Sequence, residues 1–291
     1  MQNNTTYSSI YEKLGVTPVI NAWGVATELG GWTLSPKVAK AMEDANSTQV
    51  EMIDLLKKSG EFIASLLGVE AAYIPSGGAA AQALSVAACM AGTDPNLIER
   101  LPDTTGMKNN VVMFKGHRNR YDKAFQTPGA TIVEFGSSTD ASDSHLESAI
   151  DGNTCAVAYV IMPFSKSGIG LKKTVDIAHK HGVPVIVDAA AEVPPRSNLS
   201  KFILMGADMV AFSGGKGIGG PQSTGILAGK KKYIDAAFKN SLNLHSPIAC
   251  IGRPMKVSKE NIIGLVTALE LYIDSDEESV YNSWRKKSEY V

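Results

Sequence analysis

Short runs of β-branched and apolar residues alternate with longer amphipathic segments along most of this 291-residue chain. The runs are typical of buried strands, and the segments are typical of helices that cover a sheet. The alternation therefore predicts an α/β fold with a mostly parallel sheet flanked by helices. Strands are predicted at 111–114, 131–135, 156–161, 183–187, 209–212 and 224–227, with a short apolar stretch at 71–75, and helices at 48–67, 78–91, 171–181 and 259–273.

Two stretches lack this alternation. Residues 92–110 contain two prolines and several glycine and asparagine residues, and a long surface loop is predicted there. The last residues, 274–291, are charged, and no element is predicted for them.

The composition excludes several classes of protein. The chain carries 28 lysine and arginine residues against 29 aspartate and glutamate residues, so its net charge of -1 provides no general field for nucleic acid or an anionic membrane. Its 3 cysteines stand far apart, without a CxxC pair or a histidine at metal-ligand spacing, so neither a disulfide framework nor a metal site is predicted. Without a signal peptide or an apolar run of about 20 residues, we expect a cytoplasmic protein with no membrane contact.

The segment Pro75-Ser76-Gly77-Gly78 connects a predicted strand to a predicted helix. Glycines let a ligand approach the backbone, and the first turn of a helix has unpaired N–H groups and the positive end of the helix dipole. The segment is therefore a candidate phosphate site. Equally, Ser76 can be an ordinary N-cap and the glycines a tight turn.

Asp188 ends the predicted strand Val185-Ile186-Val187 and is followed by three alanines. Ligands of open parallel sheets collect beyond the carboxyl ends of the strands, and small residues there leave room for a flat ring. A carboxylate at this point suits a cationic ring nitrogen. The alternative is that Asp188 caps the segment after it.

Lys216 lies among the glycines of segment 214–220, after another predicted strand. A lysine in such a loop has no helix surface to lie on, and lysine amines in pockets are the usual Schiff-base formers. A phosphate-contacting or simply solvated lysine is the alternative. Residues 215–220 also match the dinucleotide pattern GxGxxG, but Pro221 and a predicted strand follow where that motif requires a helix, so we reject a dinucleotide site.

The order of these three segments is more informative than any one alone. Three features each stand at a predicted strand end. The first is the candidate phosphate site at residues 75–78, which we call the cup. The others are Asp188, an acid for a ring nitrogen, and Lys216, a lysine 28 positions later (216 − 188 = 28). These are the parts that bind pyridoxal 5′-phosphate, which acts as an electron sink once its ring nitrogen is protonated. The sequence therefore predicts this cofactor.

Five segments, spread over most of the chain, resemble the fold-type I pyridoxal phosphate enzymes, in the branch around bacterial selenocysteine synthase (L-seryl-tRNA selenium transferase). They are TPVINAWGVATELGG, LLGVEAAYIPSGGAAA, VPVIVDAAAEVPP, FSGGKGIGGPQSTGILAGKK and GRPMKVSKENIIGLVTALELY. The resemblance implies the large domain of that fold, with a sheet of seven-stranded type. It also implies at least a dimer, because a neighbouring subunit commonly completes such sites.

The resemblance assigns roles to residues of this chain. It implies that Lys216 forms the Schiff base and that Asp188 pairs with the pyridine nitrogen. The residues that would hold the phosphate are Ser76, Gly77, Gly78 and Ser213.

Two further residues are candidates. His117 follows the predicted strand 111–114, where fold-type I enzymes often place a residue stacked on the cofactor ring. The alternative is a solvated loop histidine beside Arg118 and Arg120. Arg253 is a candidate for a substrate carboxylate or phosphate, because a guanidinium binds such groups bidentately, although a structural ion pair is as plausible.

The expected activity is that of a lyase. The phosphate segment PSGGAAA departs from the asparagine-rich version of selenocysteine synthase. The motif TPVIN stands almost at the start of this sequence, so we expect no counterpart of the tRNA-gripping N-terminal domain of that enzyme. The chain is more similar to ammonia-lyase-type members acting on D-glucosaminate 6-phosphate. We therefore expect α,β-elimination on a small β-hydroxy amino acid or a phosphorylated amino sugar acid, without a nucleic acid partner. An aldolase, racemase, aminotransferase, selenium transferase or inactive cofactor-binding subunit is the alternative.

The expected domain organisation has three parts. Residues 1–47 form an N-terminal arm and the first segment of the fold, residues 48–257 form the cofactor-binding large domain, and residues 258–291 form a connecting helix and the start of a C-terminal region. The small C-terminal domain of the family is expected to be missing, which would impair closure of the site and turnover.

Overall fold

A computed structural model describes residues 9–161, 168–242 and 247–290. Within these ranges it has twelve α-helices and seven strands. The strands are β1 (Ala71–Tyr73), β2 (Asn110–Phe114), β3 (Thr131–Phe135), β4 (Thr154–Val160), β5 (Val185–Asp188), β6 (Met209–Ser213) and β7 (Gly225–Gly229). The helices are α1 (Ile10–Lys13), α2 (Pro36–Asn46), α3 (Met52–Leu67), α4 (Gly78–Ala91), α5 (Pro95–Arg100), α6 (Lys123–Gln126), α7 (Asp143–Ala149), α8 (Leu171–Lys180), α9 (Asn198–Leu204), α10 (Lys231–Ser241), α11 (Lys259–Asp274) and α12 (Glu277–Tyr290).

The strands form one sheet in the order β1-β7-β6-β5-β4-β2-β3. Strands β2 to β6 are parallel to one another, whereas β7 runs antiparallel to both β1 and β6. The predicted α/β fold with a mostly parallel, seven-stranded sheet is confirmed. The parallel order places the carboxyl ends of β2, β4, β5 and β6 along one edge of the sheet.

Local sequence signals explain where several elements begin and end. The Ser35 hydroxyl accepts a hydrogen bond from Val38 N at 3.3 Å and, with Pro36 in the first turn, starts α2. Gly68 ends α3 in the left-handed conformation, at φ 67°. Helix α3 begins four residues later than predicted because Glu51 is still extended. The central strands β4, β5 and β6 are almost wholly buried, as expected for a parallel sheet with helices on both faces.

The prediction of a long surface loop at 92–110 is wrong. Helix α5 interrupts this stretch, capped by the Asp94 carboxylate, which accepts a hydrogen bond from Asn96 N at 2.8 Å. Ile98, Leu101 and Met107 from the same stretch are buried in the core. The Asp-Pro pair that starts α5 is a helix signal, but the helix has only six residues and lacks a periodic pattern.

The last residues also have more structure than the sequence predicts, since they form α12. The Glu277 carboxylate accepts a hydrogen bond from Arg196 N at 2.7 Å, and Trp284 makes an edge contact with Trp32, with 6.0 Å between ring centroids. These contacts join α12 to segments distant in the chain. Across the described ranges, no helix has the length and apolar character needed to cross a membrane.

Candidate active site

The segment predicted to bind phosphate lies against the ends of the two central strands. Helix α4 begins at Gly78, and a methyl group there would stand 3.2 Å from the Ala190 Cβ and 3.9 Å from the Ser213 Cβ. On the other side, Gly225 N donates a hydrogen bond to the Pro75 carbonyl at 2.9 Å. The start of α4, with its unpaired N–H groups, therefore faces the carboxyl edge of the sheet, between β5 and β6.

Ser76, Gly77 and Ser213 lie at the same place in the fold. Ser76 and Gly77 form the turn before α4 and are partly exposed, and Ser213 is the partly exposed last residue of β6. Ser213 of β6 pairs with Gly225 of β7, and Gly225 N donates the hydrogen bond to Pro75 described above. The four residues predicted to hold a phosphate are therefore brought together by tertiary structure, although their role stays a prediction.

Asp188 ends β5, where it pairs in register with Val160 of β4 and Ala211 of β6. One carboxylate oxygen accepts a hydrogen bond from Ala190 N at 3.0 Å. Burial raises the pKa of the Asp188 carboxyl, while the Ala190 hydrogen bond and the positive charge of Lys216 oppose the rise. A protonated ring nitrogen beside this carboxylate would be a further opposing charge, so the environment suits the predicted partner.

Gln82 is a site residue that the sequence analysis missed. It lies one turn into α4, and its side chain is only 3% exposed. Its interaction with the Asp188 carboxylate helps to lower the pKa of that carboxyl, and its own Oε1 has no partner in the described part of the chain. A buried carbonyl without a donor costs about 1–3 kcal/mol. The signal in the sequence is the first polar residue of α4, within an alanine run.

Lys216 lies in the loop between β6 and β7, and close backbone packing holds this loop in place. A methyl group on Gly217 would lie 1.9 Å from the Val193 carbonyl oxygen, and one on Gly215 would lie 2.6 Å from the Gln222 Cα. Gly217 is therefore required by contact with the segment after β5, and Gly215 by contact within the β6–β7 loop itself. They hold Lys216 at the edge where Asp188 lies.

A cavity of about 940 Å³ opens beside Lys216. Its walls come from the N-terminal segment 20–33, the loops after β5 and β6, and α12. Lys216 lines this cavity and also lies close to Asp188, because its positive charge lowers the pKa of both Asp188 and Glu192.

His117 is buried, with 4% of its surface exposed, so the alternative of a solvated loop histidine is wrong. Its ring makes edge contacts with Phe114 and Tyr159, and its Nδ1 accepts a hydrogen bond from Val160 N at 3.4 Å. Burial lowers the pKa of His117 to about 4, so the ring is neutral at pH 7. Val160 is the register partner of Asp188, which puts His117 one strand away. Stacking on a cofactor stays a prediction.

The structure does not bring Arg253 to this cavity. Arg253 is exposed in a short 3₁₀ turn, and the preceding Gly252 N donates to the Asn240 carbonyl at 3.0 Å. The Asn240 amide in turn donates to the Gly92 carbonyl at 3.0 Å. Gly78 begins α4 and Gly92 follows its last residue, so these two glycines lie about 21 Å apart along a 14-residue helix. Arg253 is therefore joined to the end of α4 that is remote from the predicted phosphate site. Among the described residues Arg253 forms no ion pair, and its role stays a prediction.

The residues present fit pyridoxal 5′-phosphate, the cofactor predicted from the sequence. A helix start with unpaired N–H groups suits the phosphate, a buried carboxylate suits the ring nitrogen, and a lysine at the same edge suits the aldehyde. The Gln82 Oε1, buried without a donor, is consistent with a site that a ligand completes.

Comparisons with known proteins agree with this geometry. A family model described as L-seryl-tRNA selenium transferase matches residues 19–281. Over 276 residues the chain is 39% identical to the 5'-C-glycyluridine monooxygenase-decarboxylase of a Streptomyces species, which covers 92% of this chain and 66% of that protein. Over 270 residues it is 40% identical to the D-glucosaminate-6-phosphate ammonia lyase of Salmonella typhimurium, which covers 91% of this chain and 70% of that protein.

A solved structure of D-glucosaminate-6-phosphate ammonia-lyase superimposes with a TM-score of 0.85 at 38% identity. The match covers 93% of this chain and 72% of that one, so this chain spans about two thirds to three quarters of these relatives. The family resemblance read from the sequence is confirmed. The chain belongs to the L-seryl-tRNA selenium transferase family.

Proposed function

We propose that this protein is a pyridoxal 5′-phosphate-dependent lyase. Its substrate is a small β-hydroxy amino acid or a phosphorylated amino sugar acid, which it converts by α,β-elimination into a 2-oxo acid and ammonia. The observation that carries the proposal is that Gly78, Asp188 and Lys216 lie close together at one edge of the sheet. The relative that is 40% identical is named an ammonia lyase, which supports this reaction class.

In this proposal each residue has one task. The first N–H groups of α4 and the hydroxyls of Ser76 and Ser213 would hold the cofactor phosphate. Asp188 would hold the ring nitrogen in its protonated form, and Lys216 would hold the aldehyde carbon. When bound, the cofactor supplies an electron sink for the pair left on the substrate Cα.

Proton transfer is assigned to Lys216. With its amine neutral, Lys216 would take the proton from the substrate Cα and return a proton to the departing β-hydroxyl. The hydroxyl would thus leave as water, and a second water would hydrolyse the unsaturated product to the 2-oxo acid and ammonia. Gln82 lies close enough to Asp188 to lower the pKa of its carboxyl, and it would help to keep that carboxylate ionised.

The test combines cofactor binding with product analysis. Purified protein mixed with pyridoxal phosphate should gain the visible absorption band of the lysine-bound cofactor and should release ammonia from one member of a panel of amino acids and amino sugar acids. Lys216→Ala should abolish both. Lys180→Ala, which changes an exposed lysine of α8, is the matched control and should change neither. A protein that stays colourless with added cofactor would disprove the proposal.

A second candidate reaction comes from the relative at 39% identity, which is named a monooxygenase-decarboxylase. The panel should therefore also be scored for oxygen uptake and carbon dioxide release. Ammonia release without either supports the lyase. Oxygen-dependent release of carbon dioxide would favour the second candidate.

We also propose that the protein is at least a dimer. Ile20 is fully exposed and Trp23 is 74% exposed, and both line the cavity beside Lys216. A second subunit that covers these side chains would remove apolar surface from water and help to close the cavity. Light scattering should show an oligomer, and a stable monomer would contradict this proposal.

The remaining partners and the location follow from charge and cysteine chemistry. With a net charge of -1 we expect no nucleic acid partner, and salt-sensitive binding of transfer RNA would contradict this expectation. The cysteines Cys89, Cys155 and Cys250 are free, which supports a reducing, cytoplasmic location.

A further inference from the structure

We propose that Lys287 and Ser288 of α12 bind a second anionic group of the substrate, so that the substrate is a phosphorylated amino sugar acid and not an unphosphorylated amino acid such as serine. This inference rests on the proposed lyase function and narrows its substrate class.

The size of the cavity is the first argument. Ligand sites usually measure about 300–1,000 Å³. At about 940 Å³ the cavity beside Lys216 lies at the upper end of this range. It has room for an extended substrate beside Lys216, whereas a serine-sized substrate would leave much of it filled with water.

The second argument is the face that α12 presents to the cavity. Trp284, Lys287 and Ser288 line the cavity, and positions separated by three and four residues share one face of a helix. The edge contact of Trp284 with Trp32 holds this face against the segment that forms the opposite part of the lining. The neighbouring Arg285 is paired with Glu289 at 3.5 Å and does not line the cavity.

The charges of the lining are the third argument. Lys216 and Lys287 are its charged residues, and the described lining contains no aspartate or glutamate. In the proposed function Lys216 is committed to the cofactor and to proton transfer. Within the described chain no carboxylate forms an ion pair with Lys287. Its ammonium group is therefore a solvated positive charge at the cavity wall, without a carboxylate partner in the described chain, and is available to an anionic ligand.

The chemistry of Lys287 and Ser288 selects the ligand. A lysine ammonium binds phosphate as a point charge with three donors, and a serine hydroxyl adds another donor. Lys287 is exposed, so salt should weaken this interaction. The α-carboxylate of the substrate stays near the reacting Cα. The group that α12 binds is then a second anion, for which a terminal phosphate is the best match.

The experiment compares D-glucosaminate 6-phosphate with D-glucosaminate as substrates of the cofactor-loaded protein, scored by ammonia release. The wild type should prefer the phosphorylated substrate in kcat/KM. Lys287→Ala should reduce this preference by about 10- to 100-fold, as for loss of one hydrogen bond to a charged group, and Lys287→Arg should restore most of it. Lys286→Ala removes a neighbouring exposed lysine outside the lining and should leave the preference unchanged.

A binding measurement separates this inference from the lyase proposal. D-gluconate 6-phosphate has no amine, so it reports on the α12 subsite without any reaction. Titration calorimetry should show it binding to the wild type more tightly than D-gluconate does, and at least about 10-fold more weakly to Lys287→Ala. If the wild type releases no ammonia but binds D-gluconate 6-phosphate as expected, the lyase proposal is refuted and the α12 subsite stands. If wild type and Lys287→Ala bind this compound equally, or neither binds it, the α12 subsite is overturned.

Discussion

Gly225 is the residue whose substitution tests the cofactor cup most directly. A Cβ atom at this position would lie 2.6 Å from the Gly77 carbonyl carbon, 2.7 Å from its oxygen and 3.0 Å from Gly78 N. Ordinary contact begins at 3.4 Å, so Gly225→Ala requires a shift of about 0.8 Å (3.4 − 2.6) between β7 and the cup. All three atoms belong to the backbone, so no side chain can rotate away.

The shift should fall on the cup, because β7 is held on both sides. It pairs with β1 and β6, and only the turn before α4 is free of sheet pairing. Overpacking of this kind costs about 1–3 kcal/mol of unfolding free energy, which corresponds to a fall in Tm of roughly 2–10 °C. Displaced N–H groups should also lose at least one charge-assisted hydrogen bond to the phosphate, which weakens cofactor binding by about 10- to 100-fold.

The assay is a spectroscopic titration with pyridoxal phosphate, together with thermal unfolding with and without the cofactor. Gly225→Ala should bind more weakly, and its Tm should rise less on adding cofactor than the Tm of the wild type does. The matched control is Gly152→Ala, because a methyl group at Gly152 meets no atom within 4 Å. Wild-type cofactor affinity in Gly225→Ala would refute the assignment of the cup.

Three further predictions follow from single side chains. Gln82→Leu removes the polar interaction with Asp188 and should weaken cofactor binding by about 10-fold or more. The Tm of the cofactor-free protein should stay level or rise, because a buried unpaired carbonyl is lost. A fall in both the cofactor affinity and the Tm of the cofactor-free protein would contradict the positioning role. Burial lowers the pKa of His117 from 6.5 to about 4, so as the pH falls through this range the unfolded chain binds the proton before the folded protein does. The free energy of unfolding should therefore fall by about 3 kcal/mol between pH 6.5 and pH 4. Urea unfolding should therefore show a shallower pH dependence for His117→Phe, and equal slopes would contradict a buried neutral ring. Trp284→Ala removes an aromatic contact worth about 0.5–1.5 kcal/mol and, by loosening α12, should reduce the preference for a phosphorylated substrate in the same kinetic comparison; an unchanged preference would show that this contact does not position α12.

The sheet could be predicted from the sequence because its signals are local. Buried strands such as β5 are short apolar runs bounded by turn residues, and α8 and α11 repeat apolar residues at helical spacing. Helix α12 could not be predicted in this way, because no buried face marks it. It is held by the contacts of Trp284 with Trp32 and of Glu277 with Arg196, which join distant parts of the chain.

For the candidate site, the sequence by itself determined the chemical parts and their order: a cup at the start of a helix, an acid at the end of a strand and a lysine among glycines. These signals lie within a few consecutive residues. Only the tertiary structure decided that Gln82 contacts Asp188, that His117 is buried, that Arg253 lies away from the cavity and that Lys287 lines it. The physical reason is that burial and charge environment depend on packing between segments far apart in the chain, which no local pattern encodes.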